Sequence, residues 1–161
     1  MSDDAGLRKQ VIDLLTKGNA HITFDKAVEG FPVDRAGVRP SGSPHSAWEL
    51  LEHIRIAQYD IVAFSRGGEE PYRELKWPDE YWPASPAPAN VQAWEASVAA
   101  IRADLDRFVS ILRDPKRNLY EPFSWGEGQT LLREAFLIAD HNSYHLGQLM
   151  LVRRMLEGGA R

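Results

Sequence analysis

Apolar residues recur at helical spacing along four stretches of the chain, and no stretch alternates as a half-buried strand does. The first stretch runs from about Asp4 to Glu29 and carries Leu7, Val11, Leu14, Leu15, Gly18 and Ile22 at that spacing. Pro32 and the run from Val33 to Pro40 then predict a loop. The second helix has a strong start signal. Ser43 can cap it, Pro44 suits the first helical position, and Ser46-Ala47-Trp48-Glu49 spells a capping box. Leu50, His53, Ile54, Ala57, Ile61 and Phe64 share one of its faces, and Arg66-Gly67-Gly68 ends it. Residues 69–89 form a long connection carrying Pro71, Pro78, Pro83, Pro86 and Pro88 together with Tyr72, Trp77, Tyr81 and Trp82. Asn90 is the expected cap of a third helix, through Trp94, Val98, Ile101, Leu105, Phe108 and Leu112, which Asp114-Pro115 ends. After a loop over residues 116–129, Thr130 starts a fourth helix that continues to about Glu157, before Gly158-Gly159. Four amphipathic helices predict an all-α four-helix bundle with long loops between helices two and three and between three and four. Loops of that length permit a crossover, so simple up-down-up-down connectivity is not implied.

The 161 residues suit a single domain spanning 1–161, long enough to close a hydrophobic core without disulfides. A formal net charge of −4 argues against an electrostatic grip on nucleic acid and against a polybasic membrane anchor. No apolar run approaches bilayer length, and Met1-Ser2-Asp3-Asp4 lacks the basic-then-apolar layout of a signal peptide, so the expected location is the cytoplasm. The absence of cysteine excludes thiolate zinc sites, iron–sulfur clusters and a cysteine nucleophile, so any metal must be held by His, Asp or Glu.

Histidine placement is the informative chemistry. His141 and His145 lie four apart on the fourth helix, one turn from each other, within the inward stripe of Leu137, Ile138, Leu149 and Val152. His53 lies on the inward stripe of the second helix. Two readings follow: core histidines satisfied by hydrogen bonds, or three imidazoles sharing one cation. His45 sits at a helix start and reads as surface or as a neighbour of the site. His21 and Asp25, a turn apart, are expected to form a local hydrogen bond rather than reach a common cavity. Asn142 stands where a zincin protease needs glutamate, which sets that class aside.

The run Ser43-Pro44-His45-Ser46-Ala47-Trp48-Glu49-Leu50-Leu51-Glu52-His53-Ile54, with Ala57-Gln58-Tyr59-Asp60 after it, resembles the second helix of DinB-family proteins. The fourth helix is similar too, through Gly128-Gln129-Thr130-Leu131-Leu132-Arg133-Glu134-Ala135 and Ala139-Asp140-His141-Asn142-Ser143-Tyr144-His145-Leu146-Gly147-Gln148. Trp77-Pro78-Asp79-Glu80-Tyr81-Trp82-Pro83 looks like a subgroup of the same family. The resemblance implies a four-helix bundle, often dimeric, that binds a divalent metal, zinc or nickel, through three histidines. Carried over by position, these are His53, His141 and His145. It implies either a metal-dependent hydrolase acting through a metal-bound water, or a transferase joining a small thiol (mycothiol, bacillithiol or glutathione) to an electrophile.

Three ligands leave coordination positions open, as at a catalytic metal. A metal-stabilised bundle that binds a ligand without turnover is the non-enzymatic alternative. Asp60 and Glu134 each lie seven residues from a histidine of the triad, about 10 Å along the same face by helix rise. Either can complete a two-His-one-carboxylate site; Asp140 points away, and no general acid or base is assigned. The aromatic loop from Tyr72 to Trp82 is either a lid over the site or a cap on the bundle. The expected partners are a small-molecule substrate and a second copy of the chain, with Trp48 and Val62 as its dimer face.

Overall fold

The computed structural model describes residues 4–67 and 72–158; residues 1–3, 68–71 and 159–161 lie outside the described residues, among them the Gly68 and Gly159 expected at helix ends and Pro71 of the long connection. The elements are α1 (Asp4–Thr16), α2 (Phe24–Val28), α3 (Ala47–Arg66), α4 (Val91–Arg113) and α5 (Leu131–Leu156), with single 3-10 turns at Val33–Arg35 and Asp79–Tyr81. No strand occurs among the described residues, only an isolated bridge between Pro122 and Thr130.

Local chemistry sets most boundaries. Ser46 caps α3 through the reciprocal capping box with Glu49, while Gly67, at φ 60°, ends it. Asn90 and Thr130 cap α4 and α5 with side chains that accept from the third residue onward. Two expectations need correction. Ser43 does not cap α3: its hydroxyl donates to the carbonyl of His45, and the helix starts at Ala47. The helix expected over Asp4–Glu29 stops at Thr16 and resumes as the short α2, which Thr23 caps. The interruption follows from Gly18 and Asn19, poor helix formers. A Cβ at Gly18 would lie 2.8 Å from the carbonyl oxygen of His21. Asn19 instead hydrogen-bonds the carbonyls of Asp13 and Lys17.

Cross-helix contacts give the directions. Ser97 donates to Glu52 at 2.6 Å, and Gln58 donates to the carbonyl of Ile101 at 2.6 Å, so α3 and α4 advance together and are parallel. One apolar core joins Trp48, Leu51 and Ile54 of α3 to Leu149 and Val152 of α5; a second joins Ile61 and Val62 to Leu131, Ala135 and Ile138. These pairings run opposite ways along the two helices, so α5 is antiparallel to α3. Arg8 reaches the carbonyl of Leu112 at 2.6 Å, so α1 starts at the end of α4 and runs back along it. α3 packs against both α4 and α5, and α1 lies across those two. The connection from α3 to α4 therefore travels back along the whole bundle, a span of about 30 Å for a helix of this length.

Trp48 and Val62 are 8% and 2% exposed, one in each core. The expected dimer face through them is corrected: α3 is the central helix, packed on both sides, and these two side chains present no outer surface.

Candidate metal centre

The two cores leave a polar layer between them. On α3 it holds His53 and Gln58; on α5 it holds His141, Asn142 and His145, between Ile138 of one core and Leu146 of the other. His53, His141 and His145 converge there, with ligand nitrogens within 4.8 Å of one another, and this group can hold a metal ion.

Hydrogen bonds decide which nitrogen each ring presents. His53 Nδ1 lies 2.8 Å from the carbonyl of Tyr81, which can only accept, so Nδ1 carries the proton and Nε2 the lone pair. His145 Nδ1 lies 2.9 Å from Gln148 Oε1, with the same consequence. For His141 the polarity is relayed from α4. The Ile101 carbonyl accepts from Gln58 Nε2, and Gln58 Oε1 then accepts from Asn142 Nδ2 at 2.7 Å. That leaves Asn142 Oδ1 facing His141 Nδ1, a long contact of 3.4 Å. All three Nδ1–H groups thus point outward and all three Nε2 lone pairs point at a common centre.

Two of those lone pairs, on His53 and His141, face each other at 3.0 Å. Two acceptors at that separation repel unless a proton or cation lies between them. Burial pushes all three imidazoles below their ordinary value, and His145, lowered by burial first and by its histidine neighbours next, falls to about 4, which disfavours the proton. A cation with metal–nitrogen bonds of about 2 Å in a tetrahedral site separates its nitrogens by roughly 3.3 Å, close to the 3.0 Å between His53 and His141. The donor set therefore fits a divalent metal, with outward carbonyl partners of the kind that orient metal-binding histidines.

The connection between α3 and α4 crosses this waist and supplies one wall of the site. Trp82 stacks on His53 with centroids 4.0 Å apart, and His45 stacks on the same indole at 4.2 Å. Trp77 and Tyr81 line a cavity of about 310 Å³ that opens onto the triad, together with Ala57, Asp60, Ile61 and Leu137. Among the described residues, no lysine or arginine lines it. Asp60 accepts from the Tyr81 hydroxyl at 2.6 Å and the Tyr72 hydroxyl at 3.1 Å. Both phenols are pushed up, by burial first and by Asp60 next, and stay protonated donors.

Asp60 thus shares the cavity but is not in the ligand cluster; Glu134 is 2% exposed and tied to Arg133 at 2.7 Å. His45 stacks on Trp82, and its charge adds to what lowers His53 and His145. His21 bonds Ser143 and the Ile22 carbonyl, while Asp25 pairs with Arg102, so the expected His21–Asp25 hydrogen bond is corrected. Both side chains line a separate cavity, described below. The sequence offered the loop carrying Tyr81 and Trp82 as a lid or a cap without giving either residue a role, and Gln58 and Asn142 were missed as parts of the site. Gln58 carried a signal: a polar residue four after Ile54 and three before Ile61, on the buried side of its helix.

Fold and site together define an all-α bundle with a buried histidine cluster at its waist, open on one side to a small cavity. The chain belongs to the DinB superfamily, whose family model matches residues 20–149, a span that contains all three histidines. No curated protein and no solved structure matches it.

Proposed function

We propose that His53, His141 and His145 hold one divalent cation, zinc or nickel, and that the chain is a metal-dependent hydrolase of small uncharged esters or amides. The observation that carries this reading is the convergence of three Nε2 lone pairs whose Nδ1–H groups are all engaged outward. When bound, the cation supplies Lewis acidity, which polarises a carbonyl and lowers the pKa of water. The chain supplies the rest. Trp77, Ile61 and Leu137 give the cavity apolar walls that favour an uncharged substrate body and limit water. Asp60 is the carboxylate in that cavity and is positioned to take a proton, with the Tyr81 and Tyr72 hydroxyls fixing its oxygens.

A thiol transferase is the second reading. Two of the small thiols implied for it, glutathione and bacillithiol, are anionic, and a cavity lined by Asp60 that takes no lysine or arginine from the described residues offers them no counter-charge, which favours the hydrolase over transfer of those two.

The test is metal analysis joined to turnover. Wild-type protein is expected to purify with one divalent ion per chain and to hydrolyse 4-nitrophenyl esters in a chelator-sensitive way. His141→Ala with His145→Ala should lose the ion and keep its helix content; Asp60→Asn should keep the ion and lose at least tenfold in kcat. Stoichiometric metal in the double variant would remove the triad from consideration. Metal-loaded protein that conjugates a thiol but leaves esters intact would replace the hydrolase reading with the transferase.

A further inference from the structure

The interruption of the first helix has a counterpart in space. Because α1 stops at Thr16, the segment over residues 17–23 does not cover the groove between α4 and α5 as a continuous helix would, and a second cavity of about 320 Å³ remains there. It lies across the α3–α5 layer from the triad cavity. Asn142 lines it on one side of α5 while His141 lines the other cavity. Its walls are apolar, with Leu14, Ile22, Leu105 and Ile138 among them, and Leu14 and Ile22 are 46% and 38% exposed at its rim.

The polar groups inside have a defined sense. His21 Nδ1 sits 2.8 Å from the Ile22 carbonyl and must donate, so His21 Nε2 accepts, at 3.0 Å, from the Ser143 hydroxyl. Ser143 has thereby spent its proton and offers oxygen lone pairs. Asn142 uses one amide hydrogen on Gln58, and its second has no protein partner among the described residues. The cavity therefore presents one acceptor and one donor on consecutive residues of α5. The charged residues that line it are balanced, Lys17 and Arg102 against Asp25 and Asp106. Both cations are already paired, Lys17 with Asp13 at 2.9 Å and Arg102 with Asp25 at 2.7 Å.

We infer that this cavity is a second small-molecule site, for a compact uncharged molecule with an apolar body and one hydroxyl head. A hydroxyl donates to Ser143 Oγ and accepts from Asn142 Nδ2 at once. A carboxylate brings only acceptors and meets the Ser143 lone pairs; an ammonium brings only donors and meets the Asn142 N–H. The carboxylate finds no free cation to offset its desolvation, both being paired already; the ammonium can face Asp106, which forms no ion pair among the described residues, but is opposed at the polar end by the Asn142 N–H.

The probe is 2-naphthol, titrated into full-length protein by calorimetry and by backbone amide shifts, with naphthalene-2-carboxylate and 2-naphthylmethylamine as charged analogues. Saturable naphthol binding is expected, with the largest shifts at Asn142 and Ser143 and at least tenfold weaker binding of both analogues. Ser143→Ala should weaken it roughly fivefold, the worth of one neutral hydrogen bond. Ala139→Phe and Leu105→Phe, which fill the cavity from α5 and α4, should each weaken it at least tenfold; cooperative urea unfolding checks that each variant folds. Binding is expected equally in chelator-treated and metal-loaded protein, so a failure of the metal reading leaves this site standing. No saturation, a carboxylate that binds as well as the naphthol, shifts centred away from Ser143, or full affinity in a folded filling variant would each overturn it.

Discussion

Asp60 and Glu134 are both carboxylates on inward positions of bundle helices, each seven residues from a histidine of the cluster, and their surroundings separate them. Asp60 accepts from two phenols inside the cavity. Glu134 is buried, and burial holds its carboxyl above the usual glutamate value, with Arg133 opposing in part and the Asp60 charge adding. A folded-state pKa above the unfolded one means that the folded chain binds more protons between the two values. Stability from this group is therefore lost as pH rises through that interval and returns as pH falls. Glu134→Gln removes the effect. In urea unfolding, the stability of wild type relative to Glu134→Gln should increase as pH is lowered from 7 towards 4, and a difference that stays flat across that range would contradict the assignment. At this scale the histidines were legible because spacing of four on one helix forces two rings to share a side. Their orienting partners were not. Tyr81 acts through its backbone carbonyl, which no side-chain pattern encodes, and Asn142 reads as the wrong residue of a protease motif until Gln58 is seen beneath it.

Element boundaries divide along the same line. The starts of α4 and α5 were written in Asn90 and Thr130, and that of α3 in the Ser46–Glu49 box though not in Ser43, since a cap is a local interaction that a few consecutive residues decide. The break after α1 was not. Apolar spacing continues through Leu14, Gly18 and Ile22, and periodicity alone cannot register that glycine and asparagine there cost more than the stripe returns. The end of α3 was legible as a glycine, but the sequence gives no hint of why that glycine is needed twice over. Gly67 has φ 60°, and a Cβ on it would sit 2.0 Å from the Trp125 ring, whose indole N–H donates to the Phe64 carbonyl at 3.0 Å. Gly67→Ala therefore combines backbone strain with displacement of Trp125 and should destabilise by roughly 2 kcal/mol or more in urea unfolding. Gly42→Ala, also at positive φ but with open space around its Cβ position, is the control and should cost less. Equal losses at the two glycines would show that the Trp125 contact contributes nothing.

Helix periodicity is blind to direction, so the parallel arrangement of α3 and α4 could be permitted by a long loop but not read from it. That arrangement determines what the molecule can do. A connection that must return along the full bundle passes over its waist, and its aromatic residues become the wall of the histidine site rather than a cap at one end. The same waist is the joint between two apolar cores that share α3, α4 and α5. A layer of three imidazoles there, two buried and one half-buried, with lone pairs opposed at 3.0 Å, weakens the joint unless a cation occupies its centre. Ligand that binds the folded chain alone stabilises it by mass action, about 2.7 kcal/mol at a hundredfold excess over Kd, which for a chain of this size is a rise in Tm of roughly 5–10 °C. Chelator-treated protein is thus expected to melt earlier than the same protein with zinc or nickel restored, and the gap should widen with metal concentration. His141→Ala with His145→Ala should melt at one temperature whatever is added. A wild-type transition indifferent to metal, or a double variant that shifts as far as wild type, would mean that the two cores are joined by hydrogen bonds between neutral histidines and that the waist is structural.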